Sequence, residues 1–216
     1  MGRDGDVAFL FSGAHPGDQP LPLWENEFFN RSIGPVYDLR QRSMGNLPEA
    51  HVHQRADGVL LLPDGRPVRD KYVLSDTSVP LAGTVIGRDE IRGMVLRRTD
   101  GLVAIASRVS GIYPDGWSGP RLAYTRLRCT GGKLTALVAS DTHLFSRPQT
   151  ISAEGRSVSL DPAQVARLTV PLQPHNGVCR VVFTVKPTAV PALVERGNDD
   201  GRMLGARFVQ FRYSAP

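Results

Sequence analysis

No stretch of this sequence is apolar for long enough to cross a lipid bilayer as a helix, which requires about 20 such residues. The opening residues MGRDGDVAFLF contain acidic side chains and only a short apolar run, unlike a secretory signal peptide. Taken alone, these two absences predict a soluble protein without an export signal of its own.

Motifs for nucleophilic catalysis are also missing, since the sequence contains no GxSxG, SxxK or HExxH, and its glycine stretches GWSG and TGGK do not match a phosphate-binding loop. Glu25 and Glu27 are two positions apart and do not share a helix face, so they are a poor general acid and base pair. Carboxylates that folding brings together, such as Asp115 and Asp141, stay open. The sequence does not favour a self-contained enzyme, and we assign no catalytic residue and no cofactor.

Basic residues do not form runs, although Lys and Arg total 26 against 21 Asp and Glu and give a formal charge of +5. We find no nucleic-acid-binding motif and expect no nucleic-acid partner. The scattered arginines predict a solvated basic surface. Attraction to anionic lipid or to a phosphorylated substrate is the alternative.

One short pattern, His51-Val52-His53, resembles part of a metal-binding motif. His51 and His53 share a face if the segment is extended, which resembles the HxH start of a cupin-type metal site. A third imidazole, from His143 or His175, and a carboxylate would be required, and no spacing brings them together. We expect no metal site, and a metal-dependent jelly-roll enzyme using His51 and His53 is the alternative function.

Turn signals between short alternating segments dominate the chain after residue 48. The 22 glycines and 17 prolines are spread between apolar runs, which indicates turns rather than disorder. Apolar side chains alternate with polar ones over residues 178–186. We predict an antiparallel β-sandwich or jelly roll over residues 49–216. Its hairpins turn at Pro63-Asp64-Gly65, Thr99-Asp100-Gly101 and Thr130-Gly131-Gly132.

The first 48 residues have a different pattern. An apolar run over residues 6–12 and a second over 33–39 predict strands, and aromatic spacing within 23–31 predicts a short helix between them. We therefore expect a small α/β portion over residues 1–48, attached to the β-sandwich. The fold class is mainly β.

The two cysteines, Cys129 and Cys179, each adjoin a strand-like segment and predict a disulfide. They are 50 positions apart, and closing such a loop stabilises a fold by roughly 3–4 kcal/mol on the chain-entropy model. Two unrelated buried thiols are the alternative. A disulfide belongs to an oxidising compartment, which conflicts with the missing export signal.

The best binding candidate is Trp117, which follows a Pro-Asp-Gly turn. An indole face can stack on the apolar face of a pyranose, and Asp115, Arg121 and Tyr124 could hydrogen-bond sugar hydroxyls. The alternative is a structural role, in which Trp117 closes one end of the sandwich.

Three long blocks carry a family resemblance: WENEFFNRSIGPVYDL (24–39), GIYPDGWSGPRLAYTRLRC (111–129) and VCRVVFTVKPTAVPALVERGNDDGRMLGARF (178–208). They resemble the C-terminal extracytoplasmic region of actinobacterial multi-pass membrane glycosyltransferases, the GT-C-like enzymes that use polyprenyl-phosphate sugars. The resemblance implies that this chain is part of a longer protein whose membrane helices lie outside it. No residue here matches the catalytic carboxylate of that family.

The resemblance also implies a location and partners. The domain would lie on the outer face of the plasma membrane, where a disulfide is stable. It would bind a cell-wall or lipid-linked glycan, or dock on the membrane part of the same parent protein. A structural spacer without a ligand cleft is a third possibility, which the sequence does not separate from the first two.

Overall fold

Short strands joined by turns make up most of the chain in a computed structural model, which describes residues 7–11, 33–39, 49–77, 79–91, 93–113 and 115–216. The mainly β fold class is confirmed. The chain divides into two compact units, Met1–Ser107 and Arg108–Pro216.

The N-terminal unit is organised around one mixed sheet. Its strands are β1 (Val7–Phe11), β2 (Ile33–Asp38), β3 (Glu49–His51), β6 (Tyr72–Asp76), β7 (Thr84–Asp89) and β8 (Met94–Arg98). Their spatial order is β3-β2-β1-β6-β8-β7. The pairs β1–β2, β2–β3 and β1–β6 are parallel, whereas β8 pairs antiparallel with β6 and β7.

Both faces of strand β1 are buried, as is usual for parallel strands. Ala8 and Leu10 belong to one apolar cluster, and Phe9 and Phe11 belong to another. A small hairpin, β4 (His53–Gln54) with β5 (Leu60–Leu61), contributes Leu60 to the first cluster.

The C-terminal unit is a β-sandwich. One sheet has the order β13-β12-β15-β10-β9 and the other β14-β11-β16. Their strands are β9 (Ser107–Ile112), β10 (Ser118–Leu127), β11 (Lys133–Ala139), β12 (Gln149–Ala153), β13 (Arg156–Leu160), β14 (Val165–Pro171), β15 (Val178–Lys186) and β16 (Arg207–Ser214). A single helical turn, α1 (Pro191–Val194), precedes β16.

Side chains from both sheets form one core between them. Phe183 of β15 lies 5.5 Å from Phe208 and 5.9 Å from Phe211 of β16, measured between ring centroids. Alternation along β15 places Cys179, Val181, Phe183 and Val185 in this core. The period-two pattern predicted for residues 178–186 is confirmed.

The domain boundary predicted after residue 48 differs from the division at Ser107. Strand β3 explains the difference, because it pairs in parallel with β2 and joins residues 49–51 to the N-terminal sheet. The strands predicted over 6–12 and 33–39 correspond to β1 and β2. The helix predicted within residues 23–31 lies outside the described residues.

Of the three predicted hairpins, the turn at Pro63-Asp64-Gly65 is confirmed, since the amide of Leu62 donates to the Arg66 carbonyl at 2.8 Å. The other two are wrong. Strand β8 pairs with β6 and β7 rather than with the segment after Gly101. Strands β10 and β11 enter opposite sheets, because β10 pairs with β15 and β11 with β14 and β16.

Candidate functional site

The loop between β9 and β10 presents Trp117. The Asp115 carboxylate accepts a hydrogen bond from the Trp117 amide at 3.4 Å, and the Gly116 amide donates to the Tyr113 carbonyl at 2.9 Å. Gly116 has a φ of 86°, which glycine adopts without steric cost. The Asp-Gly pair therefore folds the loop locally and sets the direction of the indole.

A second segment holds the loop from the other side. Trp117 forms an isolated antiparallel bridge with Arg207, the first residue of β16. The Ser118 amide donates to the Ala206 carbonyl at 2.9 Å, and the Phe208 amide donates to the Gly116 carbonyl at 2.9 Å. These bonds flank the bridge, so Trp117 and Arg207 form the non-hydrogen-bonded type of pair, in which side chains lie closest.

Trp117 is half-buried, so part of this residue remains accessible. Arg121 is exposed on β10, opposite Thr184 of β15. Alternation along an extended chain puts Trp117, Gly119 and Arg121 on one face, with roughly 13 Å between the first and last at about 3.3 Å per residue. The structure therefore brings Trp117 and Arg121 to the same surface.

Asp115 is engaged in an ion-pair network beside this surface. Arg202 donates to Asp115 at 2.8 Å and to Asp200 at 2.7 Å. The hydrogen bond from Arg202 is the main cause that holds the pKa values of both carboxyls below their usual range. The Arg202 guanidinium also lies 4.8 Å from the centre of the Tyr113 ring and covers one of its faces.

Tyr124 does not belong to this surface. It is 3% exposed, and its ring lies 5.3 Å from that of Phe211 in the sandwich core. The physical reason is parity, because Tyr124 is an odd number of residues from both Trp117 and Arg121 and therefore points to the opposite face of β10. The grouping of Tyr124 with Asp115, Trp117 and Arg121 is thus corrected.

The disulfide prediction is confirmed. Cys129 and Cys179 are joined with an S–S distance of 2.09 Å and a Cα–Cα distance of 5.6 Å. The bond connects the chain just after β10 to β15, and these two strands are hydrogen-bonded neighbours in one sheet. It therefore lies within a sheet and does not bridge the two layers of the sandwich.

Sequence reasoning missed Tyr113, Arg202 and Arg207 as members of this site. Arg202 and Arg207 follow Trp117 by more than eighty positions, so no local pattern connects them to the loop. Tyr113 lies in the quoted block around Trp117, where its ring was a detectable signal.

The histidine pair does not assemble into a ligand set among the described residues. His51 ends β3 with its Nδ1 3.9 Å from the Asp38 carboxylate, while His53 lies in β4. His143 and His175 belong to the C-terminal unit. Within the described ranges, no three His, Cys, Asp or Glu side chains are grouped to hold a metal ion.

No helix in the described part of the chain is both long enough and apolar enough to span a membrane.

Comparison with known proteins identifies no family, since no protein-family model and no curated protein matches this chain. Among solved structures, the chain is similar to a family 6 carbohydrate-binding module, with 12% identity over 51% of this chain and 83% of the module and a TM-score of 0.24. It is also similar to an exo-β-1,3-galactanase from Phanerochaete chrysosporium, with 15% identity over 48% of this chain and 26% of the galactanase and a TM-score of 0.24.

Proposed function

We propose that this chain is a non-catalytic accessory domain that binds glycan through the surface around Trp117. The observation that carries the proposal is the position of Trp117, a half-buried residue that a turn and a bridging strand hold in place at the surface. An aromatic ring fixed in this way offers an apolar platform with little conformational freedom left to lose on binding.

The proposal extends to the parent protein and its location. The domain would be carried by a membrane glycosyltransferase on the outer face of the plasma membrane, where it holds the glycan acceptor or docks on the membrane part. The Cys129–Cys179 disulfide supports an oxidising location, because such bonds are rare in the cytosol. The blocks quoted above support the parent class by resemblance.

Titration of cell-wall oligosaccharides into the purified chain tests the binding role. We expect Trp117→Ala to weaken binding about tenfold or more, because loss of one stacked ring removes about 1–2 kcal/mol. Trp117→Phe retains an aromatic face and should preserve most of the affinity. Leu193→Ala is the matched control, since Leu193 is 83% exposed on α1 in the same unit.

Equal affinity of the Trp117→Ala protein and the unmodified chain would remove the binding role from this surface. The location is tested separately by alkylating the free thiols of the parent protein after acid quenching and denaturation of the cells that express it. Both cysteines are buried, so the protein is denatured without reductant before labelling. Cysteines that react only after reduction are expected, and thiols that react without reduction would contradict an oxidising location.

A further inference from the structure

Cationic side chains surround Trp117, and they differ in whether a carboxylate neutralises them. Arg202 is neutralised twice, by Asp115 and by Asp200. Among the described residues, no ion pair joins Arg121, Lys186 or Arg207 to a carboxylate. All three side chains are exposed, so their charges are available to a ligand.

Strand geometry places Arg207 and Arg121 on the same surface as Trp117. Arg207 is the direct bridge partner of Trp117. Arg121 lies on the same face of β10, opposite Thr184. Lys186 follows Thr184 by two residues along β15, where its strand partner is Thr150 of β12.

Gly119 lies between Trp117 and Arg121 in the sequence and has no side chain, so the surface there is open. A Cβ atom built on Gly119 would meet nothing closer than the Arg121 carbonyl oxygen at 4.0 Å. A ligand can therefore approach the backbone there while one end contacts the indole and the other reaches the cations.

From this arrangement we propose that the glycan bound at Trp117 is anionic, with a carboxylate or phosphate group on the sugar that Arg207 and Arg121 recognise. The inference rests on the proposed glycan-binding function and specifies its substrate class. A planar guanidinium binds carboxylate and phosphate oxygens through paired hydrogen bonds, and such charge-assisted bonds are stronger than neutral ones. A neutral sugar would leave these two cations without a charged partner.

Calorimetric titration of the full chain with matched ligands tests the inference. The carboxylate arm compares α-1,4-linked trigalacturonate with neutral α-1,4-galactotriose, and the phosphate arm compares galactose 6-phosphate with galactose. We expect the anionic member of at least one arm to bind about tenfold more tightly than its neutral counterpart. Its affinity should fall with added salt, because the contacts are ionic and near the surface.

The variants Arg207→Gln and Arg121→Gln should each reduce the preference for the anionic ligand over the neutral ligand by about threefold to tenfold. Arg167→Gln is the matched control, because Arg167 is an exposed arginine on β14 in the other sheet of the sandwich. It should alter neither affinity.

Equal affinities for anionic and neutral glycans, unaffected by Arg207→Gln, would overturn the anionic assignment and leave the proposed glycan-binding function standing. If the unmodified chain binds neither charged nor neutral glycans, the proposed function is overturned and this inference with it. Inorganic phosphate alone or phosphatidylglycerol vesicles are the remaining probes. If either binds as tightly as the charged sugar and is insensitive to Trp117→Ala, the surface is an anion or membrane site and the glycan assignment is overturned.

Discussion

Gly205 lies at the close approach between the segment before β16 and the start of β10. A Cβ atom at this position would lie 2.6 Å from the Ser118 Oγ and 2.7 Å from the Gly119 carbonyl oxygen. The backbone amide of Gly205 donates to the Ser118 carbonyl at 2.7 Å, and the side-chain amide of the buried Gln149 donates to the Gly205 carbonyl at 3.2 Å. The close approach that aligns Arg207 with Trp117 thus requires the absence of a side chain.

We expect Gly205→Ala to lower the free energy of unfolding by about 1–3 kcal/mol, because the backbone must move apart to admit the methyl group. The same shift should change the fluorescence of Trp117, measured in a Trp24→Phe background. Gly201→Ala is the control, since a Cβ there meets nothing within 4 Å. An unchanged urea midpoint and an unchanged emission maximum for Gly205→Ala would contradict the proposed tight packing.

The Asp115 carboxyl makes the site sensitive to acid pH only, and its charge does not change in the physiological pH range. Its pKa is lowered in the folded chain, chiefly by the hydrogen bond from Arg202. The contribution of Asp115 is therefore fully present above the unfolded pKa, about 3.9, and is lost as pH falls through the lower folded value. Between pH 5 and 8 the carboxylate stays ionised in both states.

We accordingly expect Trp117 fluorescence, in the Trp24→Phe background, to stay constant down to about pH 5 and to change only below about pH 4. Asp115→Asn should remove this acid transition, because the asparagine does not titrate. Asp161→Asn changes an exposed carboxyl elsewhere in the unit and should leave the transition in place. A transition near neutral pH would show that another group controls the indole.

At the scale of elements, β10 is the strand that joins the site to the core. On this strand Arg121 faces outward, whereas Leu122 and Tyr124 face inward and pack in the sandwich core. Seven paired residues connect it to β15, and the disulfide closes the end of this pair. Displacing β10 would therefore disturb the binding surface and the core together.

Replacing both cysteines by serine should destabilise the C-terminal unit by roughly 3–4 kcal/mol. The unfolded chain gains conformational entropy when the cross-link between residues 50 positions apart is removed. Cys129 and Cys179 are 3% and 0% exposed, so burying two hydroxyls adds to the cost. Urea unfolding with and without a reductant measures the effect. The serine variant should not respond to reductant, and equal stability of the oxidised and reduced chains would contradict a stabilising role for the disulfide.

At the scale of the whole molecule, the chain consists of two units with different sheet chemistry. The N-terminal unit holds a mixed sheet with parallel strands, and the C-terminal unit holds an antiparallel sandwich. The core cluster around Phe183, the disulfide and the surface around Trp117 all lie within residues 108–216.

We expect a fragment spanning residues 107–216 to fold without the N-terminal unit, because it keeps its own core and its own cross-link. It should show a cooperative thermal transition and a near-ultraviolet circular dichroism signal from packed aromatic rings. It should also bind the same oligosaccharides as the full chain. A fragment that lacks fixed aromatic packing would mean that the C-terminal unit depends on the first for folding.

Local features of the sequence predicted much of this fold. The period-two pattern of 178–186 placed strand β15 and its buried face, because alternation is a property of the extended backbone itself. The apolar run at 6–12 and the turn at Pro63-Asp64-Gly65 were also readable, because a short buried strand and a Pro-Asp-Gly turn both depend on adjacent residues. Both cysteines were recognised as a pair, since the sequence contains no others.

Strand partnership and the composition of the site depended on contacts distant in sequence. The turn after Cys129 suggested that β10 and β11 pair, but each strand instead gains its hydrogen bonds from more distant strands in separate sheets. Arg202 and Arg207 reach the Trp117 loop only because β16 begins beside it, and Tyr124 turns away from that loop because alternate residues face the core. Local patterns report which face of a strand is apolar, whereas the burial of apolar side chains between two layers selects which strands and loops meet.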